Sequence, residues 1–265
     1  ARVCVVFTGQ GAAYGGMGRG LAAASTAFDA ALRHAAATAD AVLDAQSVLA
    51  TLADSANGHP EPPSRSRLRR RRAALRGFFD GADAAALATG VLLEWPPDAA
   101  DVAMRSCGEL GQVAQVCLQY ALFTALVKED VFGPCVLAAA LGHSLGEISA
   151  CVCCDVLSLR AALAFAAGRG RALDESQGAG AMVACRGAVS EVLAAIEGTG
   201  AELAAENGRK AVVVACPDAA SHAAAVEALD GARISHKDLD VAAGYHSAAV
   251  DGALDAIEAA AAAAP

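Results

Sequence analysis

Residues 142–146 carry the residue types of a nucleophilic serine site. They read Gly-His-Ser-Leu-Gly, a Gly-x-Ser-x-Gly pattern with Ser144 at its centre. The pattern is typical of a nucleophile elbow, a tight strand-to-helix turn that exposes the serine Oγ and needs small residues on either side. A helix after the serine would direct its N-terminus at the site and favour a developing oxyanion. An ordinary turn in an alanine- and glycine-rich chain can show the same five letters, so the surrounding elements must decide.

A serine nucleophile needs a general base, and the chain has six histidines. His143 adjoins Ser144, but side chains that flank an elbow diverge, so we interpret His143 as a supporting group beside the site. His246 follows the last predicted strand and is the candidate base by its place in the chain. Asp240 and Asp251 lie near it in the sequence, and neither is selected as its orienting acid. The other four histidines lie in predicted helices, loops or an exposed strand.

The elements predicted around residues 142–146 supply the context that an elbow requires. A buried strand is predicted at Arg2–Phe7, followed by a glycine-rich turn and by alanine-rich helices over roughly 21–52. A helix at 110–128 has an apolar stripe and a face of glutamines. A second apolar strand, 136–141, leads into the serine pattern, and a helix follows it. The residues between about 77 and 106 show no clear pattern.

The spacing of apolar residues changes from residue 181 onward. Short apolar strands alternate with helices in the order β-α-β-β-α-β, which is typical of a ferredoxin-like arrangement. The predicted strands are 181–185, 201–205, 211–216 and 234–241, and the predicted helices are 189–197 and 221–229. Asn207-Gly208 is interpreted as the turn between the two middle strands. An alanine-rich helix is predicted from residue 250 onward.

Composition excludes several classes of protein. The 265 residues are 55% hydrophobic and 18% charged, which excludes wholesale disorder. The longest uncharged stretch, 110–127, contains three glutamines, which argues against a membrane-spanning helix. The net charge of −9 argues against a nucleic-acid-binding protein. The nine cysteines form neither a disulfide framework nor a zinc-type spacing, so no metal is predicted, and most are interpreted as small buried residues in a reducing compartment.

One segment, 65–76, is strongly basic and contains seven arginines. Removing them from the net charge of −9 leaves −16 on the rest of the chain. A solvated insertion is one interpretation of this segment. The alternative is a binding patch for CoA phosphates or for another domain.

Five motifs, in order along nearly the whole chain, are similar to those of one family. They are Val-Phe-Thr-Gly-Gln-Gly at 6–11 with Gly-Met-Gly-Arg at 16–19, Gly-His-Ser-Leu-Gly-Glu at 142–147, Arg-Gly-Arg-Ala-Leu at 169–173 with Gly-Ala-Gly-Ala-Met at 178–182, Asn-Gly at 207–208, and Tyr-His-Ser at 245–247. Together they resemble malonyl-CoA:acyl carrier protein transacylases and the acyltransferase domains of polyketide and fatty-acid synthases. The resemblance implies an α/β fold: an α/β-hydrolase-like large subdomain, 1–178 and 243–265, with an inserted ferredoxin-like small subdomain, 179–242.

The resemblance also implies the catalytic roles. Ser144 would attack the thioester carbonyl of malonyl-CoA, with His246 as general base, and form a malonyl-serine intermediate. The backbone N–H groups of Gln10 and Leu145 would form the oxyanion hole. Arg169, which lies 25 residues after Ser144, would bind the malonyl carboxylate through two parallel hydrogen bonds. The phosphopantetheine thiol of an acyl carrier protein would then accept the malonyl group.

His143, Asn207 and Gln115 are assigned by the resemblance to the surroundings of the substrate. The residues themselves leave alternatives open. Asn207 would serve as a plain turn residue, Gln115 as a helix-surface glutamine, and Gln10 as a residue that only shapes its turn. Arg169 would be a surface arginine next to Arg171.

Some features depart from the family's pattern. Thr8 stands where proline is usual, and the basic segment 65–76 is extra. Tyr245, next to His246, is more like malonyl-selective than methylmalonyl-selective members, although Gly244 before it is atypical. Family members continue well past the histidine with a strand and helices, and we therefore expect this chain to be truncated at its C-terminus.

The function predicted from these observations is malonyl transfer from malonyl-CoA to an acyl carrier protein, in fatty-acid or polyketide synthesis. No cofactor is predicted beyond the substrate and the phosphopantetheine of the partner. The expected partners are an acyl carrier protein, a CoA thioester and other synthase domains, with neither nucleic acid nor membrane, and the expected compartment is the cytoplasm or a plastid. Two alternatives are a non-catalytic module that docks a carrier protein or neighbouring domains, and a serine esterase.

Overall fold

The structure, a computed structural model, describes residues 1–53, 70–71, 74–176, 180–241 and 243–264. These residues form two compact units. The first contains 1–53, 71, 74–171 and 256–264, and the second contains 70, 172–176, 180–241 and 243–255. The second unit is thus longer than the span 179–242 assigned from the sequence. One reason is that the residues after the last strand pack against the sheet of the second unit. A Cβ on Gly244 would lie 2.5 Å from the carbonyl oxygen of Cys216.

The described helices and strands follow one another in a mixed α/β order. The strands are β1 Arg2–Phe7, β2 Val136–Gly142, β3 Ala181–Arg186, β4 Glu202–Gly208, β5 Ala211–Cys216 and β6 Ser235–Asp238. The α-helices are α1 Arg19–Ala24, α2 Thr26–Asp40, α3 Ala45–Ala53, α4 Arg76–Asp80, α5 Leu87–Thr89, α6 Pro97–Ser106, α7 Gly108–Lys128, α8 Gly146–Cys153, α9 Leu159–Asp174, α10 Val189–Ile196, α11 Ala219–Gly231 and α12 Leu254–Ala263. A π-helical turn covers Gly90–Glu94 and a 3-10 helix covers Ala248–Ala253.

The sheet of the first unit consists, in the described part of the chain, of β1 and β2 in parallel. Pairing runs from Arg2 opposite Val136 to Phe7 opposite Gly142. Both strands lie where short apolar runs bounded by turn residues predict them. The prediction that the first strand is buried is wrong: Phe7 is the one buried residue of β1, which pairs with β2 alone within the described ranges. The register brings the end of β1 beside the start of the serine pattern.

Helix α7 is the central helix of the first unit, and its residues from Gly108 to Leu118 are all buried. The interpretation of its glutamines as a surface face is therefore wrong for Gln112 and Gln115, which are 0% and 3% exposed. Both have hydrogen-bond partners inside the protein, which is how a buried polar group is normally accommodated. By length and composition α7 could cross a membrane, but 61% of its most apolar stretch is buried within the protein, as in a core helix.

Helices α7 and α9 approach each other closely at two glycines. A Cβ on Gly170 would lie 2.5 Å from the carbonyl oxygen of Gly108, so a larger residue does not fit at this crossing. One residue further on, Arg171 donates two hydrogen bonds, of 3.0 and 2.8 Å, to the buried carboxylate of Glu109. The backbone N–H of Asp44 donates a third, of 2.8 Å. These bonds compensate the burial of a charged group, and the pairing with Glu109 raises the pKa of Arg171.

The stretch between 77 and 106, which shows no clear pattern in the sequence, is largely helical in the structure. Its elements are held by polar side chains from a distant part of the chain. Asp40 accepts hydrogen bonds from the Thr89 hydroxyl at 2.6 Å and from the backbone N–H of Ala88 at 2.6 Å. Arg19 donates to the carbonyl oxygens of Leu92 and Trp95. The local pattern of apolar residues does not predict these helices, because the side chains that hold them, Arg19 and Asp40, are distant in the sequence.

The second unit is confirmed as a ferredoxin-like fold. Its four strands form an antiparallel sheet in the order β4-β5-β3-β6, with the predicted order β-α-β-β-α-β along the chain. Helices α10 and α11 cover one face, and the core between helices and sheet includes Val183, Val192, Val212, Val214 and Leu229. The prediction of Asn207-Gly208 as a turn is wrong. Gly208 pairs with Ala211, so the hairpin turn consists of Arg209 and Lys210.

The cysteines are free thiols, and four of the nine are buried, fewer than the sequence interpretation expected. Burial raises the pKa values of Cys185 and Cys216 to about 11. Most of the basic segment 65–76 lies outside the described residues. Within the described part, Arg71 forms ion pairs with Asp98 and Asp101 at 3.3 and 3.1 Å.

We predict that the crossing of α7 and α9 does not tolerate a methyl group. Gly170→Ala should lower the free energy of unfolding by about 1–3 kcal/mol, because its Cβ would collide with the backbone of α7. Denaturant unfolding followed by circular dichroism measures the change.

The matched control is Gly20→Ala in α1, where a Cβ would meet no atom within 4 Å. This change should stabilise the protein by up to about 1 kcal/mol through helix propensity. Equal stability changes for the two variants would contradict the prediction.

Candidate functional site

Ser144 lies in a strained turn between strand β2 and helix α8. Strand β2 ends at Gly142 and α8 begins at Gly146, so the serine pattern occupies the strand-to-helix junction that an elbow requires. Ser144 has φ +50°, in the left-handed region that few non-glycine residues adopt. This strained strand-to-helix turn is the geometry of a nucleophile elbow, which holds the serine side chain out of the sheet.

Both glycines of the pattern are required because neither position has space for a side chain. A Cβ on Gly142 would overlap with the backbone nitrogen of Glu147, so the turn could not close. A Cβ on Gly146 would overlap with the carbonyl oxygen of Phe7 and lie 2.8 Å from that of Thr8. An ordinary turn would not need both positions free, and the elbow interpretation therefore accounts for the sequence pattern.

The loop after β1, residues 8–13, lies directly against the elbow. The His143 backbone N–H donates a 2.9 Å hydrogen bond to the Phe7 carbonyl oxygen. A Cβ on Gly9 would lie 2.8 Å from Nδ1 and 2.9 Å from the backbone oxygen of His143. His143 thus contacts the loop, and its role as a supporting group stays a prediction.

Gln115 fixes the shape of this loop from helix α7. Its Nε2 donates hydrogen bonds to the carbonyl oxygens of Gly9 at 2.7 Å and Thr8 at 3.1 Å, and its Oε1 accepts one from the Ala13 N–H at 3.3 Å. Gln119, one turn further along α7, donates to the Thr8 carbonyl at 2.9 Å. Gln115 therefore clamps both ends of the loop, a role that the sequence does not reveal.

The two predicted oxyanion donors lie on the two segments that meet here. Gln10 is an exposed residue of the loop clamped by Gln115, and Leu145 is the N-cap residue of α8 with its side chain buried. The first backbone N–H groups of a helix have no partner within the helix. The arrangement can thus offer N–H donors from the loop and from the start of α8 to a developing negative charge.

Arg169 and Arg171 both donate to side chains of helix α7. Arg171 pairs with the Glu109 carboxylate, whereas Arg169 donates a 2.7 Å hydrogen bond from Nη1 to Oε1 of Gln112. Arg169 is half-buried rather than a surface arginine. The sequence does not predict Gln112 as a site residue, although its position three residues before Gln115 puts both on one side of α7.

His246 and its neighbours belong to the second unit. His246 is exposed and has φ +62°, so both predicted catalytic residues lie among the few non-glycine residues with positive φ in the described part of the chain. Ser247 holds the turn by donating a 2.6 Å hydrogen bond to the Gly244 carbonyl. Tyr245 packs against a second apolar cluster of the small sheet, which contains Met182 and Val213.

The predicted site residues divide between the two units. Ser144, Gln10, Leu145, His143, Gln115 and Arg169 all lie in the first unit, whereas His246 and Asn207 lie in the second. Asn207 sits at a register irregularity of β4 on β5. Gly178 and Ala179 of the predicted motif fall outside the described residues. Across the ranges that the structure describes, no three His, Cys, Asp or Glu side chains form a group that could hold a metal ion.

Comparison with known proteins identifies one family over almost the whole chain. A sequence profile described as "Acyl transferase domain" matches residues 4–265. A type I polyketide synthase for phenolphthiocerol synthesis from Mycobacterium marinum is 33% identical over 155 residues, which are 58% of this chain and 7% of that protein. The match thus covers a small part of a much longer synthase.

Solved structures show a similar fold. The acyltransferase domain from the second module of the salinomycin polyketide synthase superposes with a TM-score of 0.66 and 26% identity, over 98% of this chain and 49% of that one. A malonyl-transacylase in complex with its type II acyl carrier protein superposes with a TM-score of 0.70 and 20% identity, over 98% and 69% of the two chains. The chain thus spans about half the length of the salinomycin domain.

We predict that the backbone amides of the loop at 8–13 lose protection from hydrogen exchange when the hydrogen bonds of Gln115 are removed. Gln115→Leu keeps the size of the side chain but deletes its hydrogen bonds to Thr8, Gly9 and Ala13, which should cost about 1–3 kcal/mol. Hydrogen–deuterium exchange of the peptide spanning 8–13 should accelerate. The control is Gln46→Leu at an exposed position of α3. Unchanged exchange in Gln115→Leu would show that the loop does not depend on this clamp.

Proposed function

The chain belongs to the acyl transferase domain family, and from this premise we propose that it moves a malonyl group from malonyl-CoA to the phosphopantetheine thiol of an acyl carrier protein. The observation that carries the proposal is Ser144 at a strained elbow whose two glycines cannot be replaced for reasons of space. The sequence relatives are polyketide synthases, so the proposed setting is polyketide or fatty-acid synthesis.

The first half-reaction acylates Ser144. The hydroxyl oxygen attacks the thioester carbonyl carbon while His246 accepts the hydroxyl proton. Negative charge develops on the carbonyl oxygen, where the N–H groups of Gln10 and Leu145 would stabilise it; a single donor of this kind is worth about 3 kcal/mol. The carbon–sulfur bond then breaks, the CoA sulfur leaves with the proton from His246, and an acyl-serine ester remains.

The second half-reaction reverses these steps with a different thiol. His246 removes the proton from the phosphopantetheine thiol of the carrier protein, and the sulfur attacks the acyl-serine carbonyl. The carbon–oxygen bond breaks, Ser144 regains its proton, and the carrier holds the acyl group as a thioester. The clamped loop serves both halves, because the same oxyanion forms twice.

Selectivity for a carboxylated acyl group is proposed to rest on Arg169. Support comes from its place 25 residues after Ser144 and from its half-buried side chain on α9, which donates a hydrogen bond to Oε1 of Gln112. A guanidinium can hold a carboxylate through two parallel hydrogen bonds. An uncharged acyl group would leave the arginine without that partner, which disfavours its binding. Tyr245, beside His246, is proposed to exclude a branch at the α-carbon.

We predict that malonyl-CoA leaves a malonyl ester on Ser144. Intact-protein and peptide mass spectrometry after incubation should show one malonyl adduct in the wild type and none in Ser144→Ala. Adduct on another residue, or no adduct in a folded wild type, would contradict acyl transfer.

The remaining alternatives differ in the fate of the acyl-serine ester. Transfer of the adduct to a carrier protein supports the proposal, whereas faster loss to water indicates an esterase. Carrier binding without any adduct indicates a docking module.

A second prediction concerns Arg169. Arg169→Ala should lower the rate of malonyl adduct formation at least about tenfold, because a charge-assisted hydrogen bond is worth about 1.5–3 kcal/mol, while adduct formation from acetyl-CoA should persist or increase. Arg160→Ala, an exposed change on the same helix α9, is the control and should leave both rates unchanged. An unchanged malonyl-to-acetyl ratio in Arg169→Ala would refute this role.

A further inference from the structure

Three cysteines lie close together at the end of helix α8, and the proposed transfer uses none of them. They are Cys151, Cys153 and Cys154, and all three are free thiols. We propose that Cys151 and Cys154 form a modification site, which closes to a disulfide within the helix by exchange with a low-molecular-weight disulfide such as oxidised glutathione. The site lies about two helical turns from Ser144. The inference does not depend on the proposed function.

The backbone places Cys151 and Cys154 on one side of the last turn of α8. Residues three apart on a helix are neighbours. The Cys154 N–H donates a 3.0 Å hydrogen bond to the Ala150 carbonyl oxygen. The Val156 N–H donates one of 2.9 Å to the Cys151 carbonyl oxygen, so both cysteines belong to the turn that ends the helix. In a helical turn, Cα atoms at this spacing are about 5 Å apart, within the roughly 4.4–6.8 Å that a disulfide spans.

Formation of the bond needs one small movement. Cβ atoms at this spacing on a helix are about 5–6 Å apart, whereas those of a disulfide are about 3.5–4.5 Å apart. Cys154 can make the movement because it is the C-cap residue, with φ −104° and ψ 13°. The helix ends there, since the next residue, Asp155, has φ +57°. A strained disulfide at an exposed position is readily reduced, so the modification is reversible.

The three thiols differ in exposure and reactivity. Cys154 is exposed, whereas Cys151 and Cys153 are half-buried. Burial raises the pKa of Cys153 to about 12, with smaller contributions from Cys154 and Asp155. The thiolate is the reactive form of cysteine, so Cys153 reacts poorly at neutral pH. It also faces neither of the other two, because residues one or two apart on a helix point in different directions.

A metal site is the other common use of clustered thiols. Within the described residues, no group of three His, Cys, Asp or Glu side chains is arranged to hold a metal ion, and this includes the three cysteines of α8. The pair is therefore assigned to thiol–disulfide chemistry.

The exchange takes place in two steps. The exposed Cys154 thiol loses its proton, and its sulfur attacks one sulfur of oxidised glutathione. The S–S bond of glutathione breaks, one glutathione leaves and takes up a proton, and a mixed disulfide remains on Cys154. The Cys151 sulfur, after losing its proton, attacks the Cys154 sulfur and displaces the second glutathione, which takes up that proton. Two cysteine thiols are thus oxidised, and one oxidised glutathione is reduced to two molecules of glutathione.

The test uses the whole chain after reduction and removal of the reductant. The chain is incubated with oxidised glutathione, free thiols are blocked with N-ethylmaleimide, and the peptide that contains residues 151–154 is analysed by mass spectrometry. In the wild type this peptide should lose two hydrogens and carry one maleimide, on Cys153. Dithiothreitol should restore both lost thiols.

Variants of the three cysteines separate the two steps. Cys151→Ser should retain glutathione on Cys154, because the displacing thiol is missing. Cys154→Ser should form no disulfide within this peptide and should carry less glutathione than Cys151→Ser. Cys153→Ser is the matched control in the same turn and should close at a rate within about twofold of the wild type, because Cys153 does not face the pair.

Three results would overturn the inference: a wild-type peptide that keeps its thiols or only carries glutathione, a disulfide that includes Cys153, and a disulfide between two chains. Circular dichroism of the reduced variants verifies that the compared chains are folded. All readouts come from the cysteine peptide, whether or not Ser144 is acylated. Failure of the transfer reaction and failure of the modification site are therefore distinguishable.

Discussion

The close approach of two backbone segments, the end of β1 and the serine elbow, is the constraint on which the candidate site depends. Gly146 and Gly9 are small because the other segment fills the space that a side chain would need, and Gly142 is small because the elbow itself, at Glu147, fills that space. The approach is anchored by strand pairing of Phe7 with Gly142 and by the hydrogen bond from His143 to Phe7. It holds the nucleophile and the loop with the proposed oxyanion donor together before any substrate binds. Preorganisation of this kind avoids reorganisation when charge develops.

The second organising feature is a set of polar side chains buried on helix α7. Glu109, Gln112 and Gln115 each bind a different element: an arginine, another arginine and a loop. Burying them is tolerable only because each has partners of suitable geometry. The helix thus connects the arginine proposed to bind the acyl carboxylate to the loop beside the proposed nucleophile through rigid backbone. Its apolar composition, which is also that of a membrane segment, fits the burial of its first half in this central position.

Much of the fold could be predicted from sequence, and the exceptions have physical reasons. β1, β2 and the ferredoxin-like order follow from local apolar runs and turn residues, which need no knowledge of distant contacts. The helices between 77 and 106 do not, because Asp40 and Arg19 hold them from far along the chain. Gln112 could not be predicted because glutamine is usually a surface residue, and only the packing of α9 reveals its burial. The glycines of the serine pattern could be predicted because a tight turn leaves no space for a side chain at Gly142 and Gly146.

The arrangement of the α7 side chains also bears on how such a domain can change over time. Each residue of a helix is rotated by about 100° from the one before it. A single insertion or deletion between Glu109 and Gln115 would turn one of these side chains away from its partner and bury it against an unsuitable surface. A substitution on this helix alters one of these contacts at a time, whereas a change in its length disrupts several of them at once. Length polymorphism in related chains should therefore accumulate outside it, in segments such as the basic stretch at 65–76.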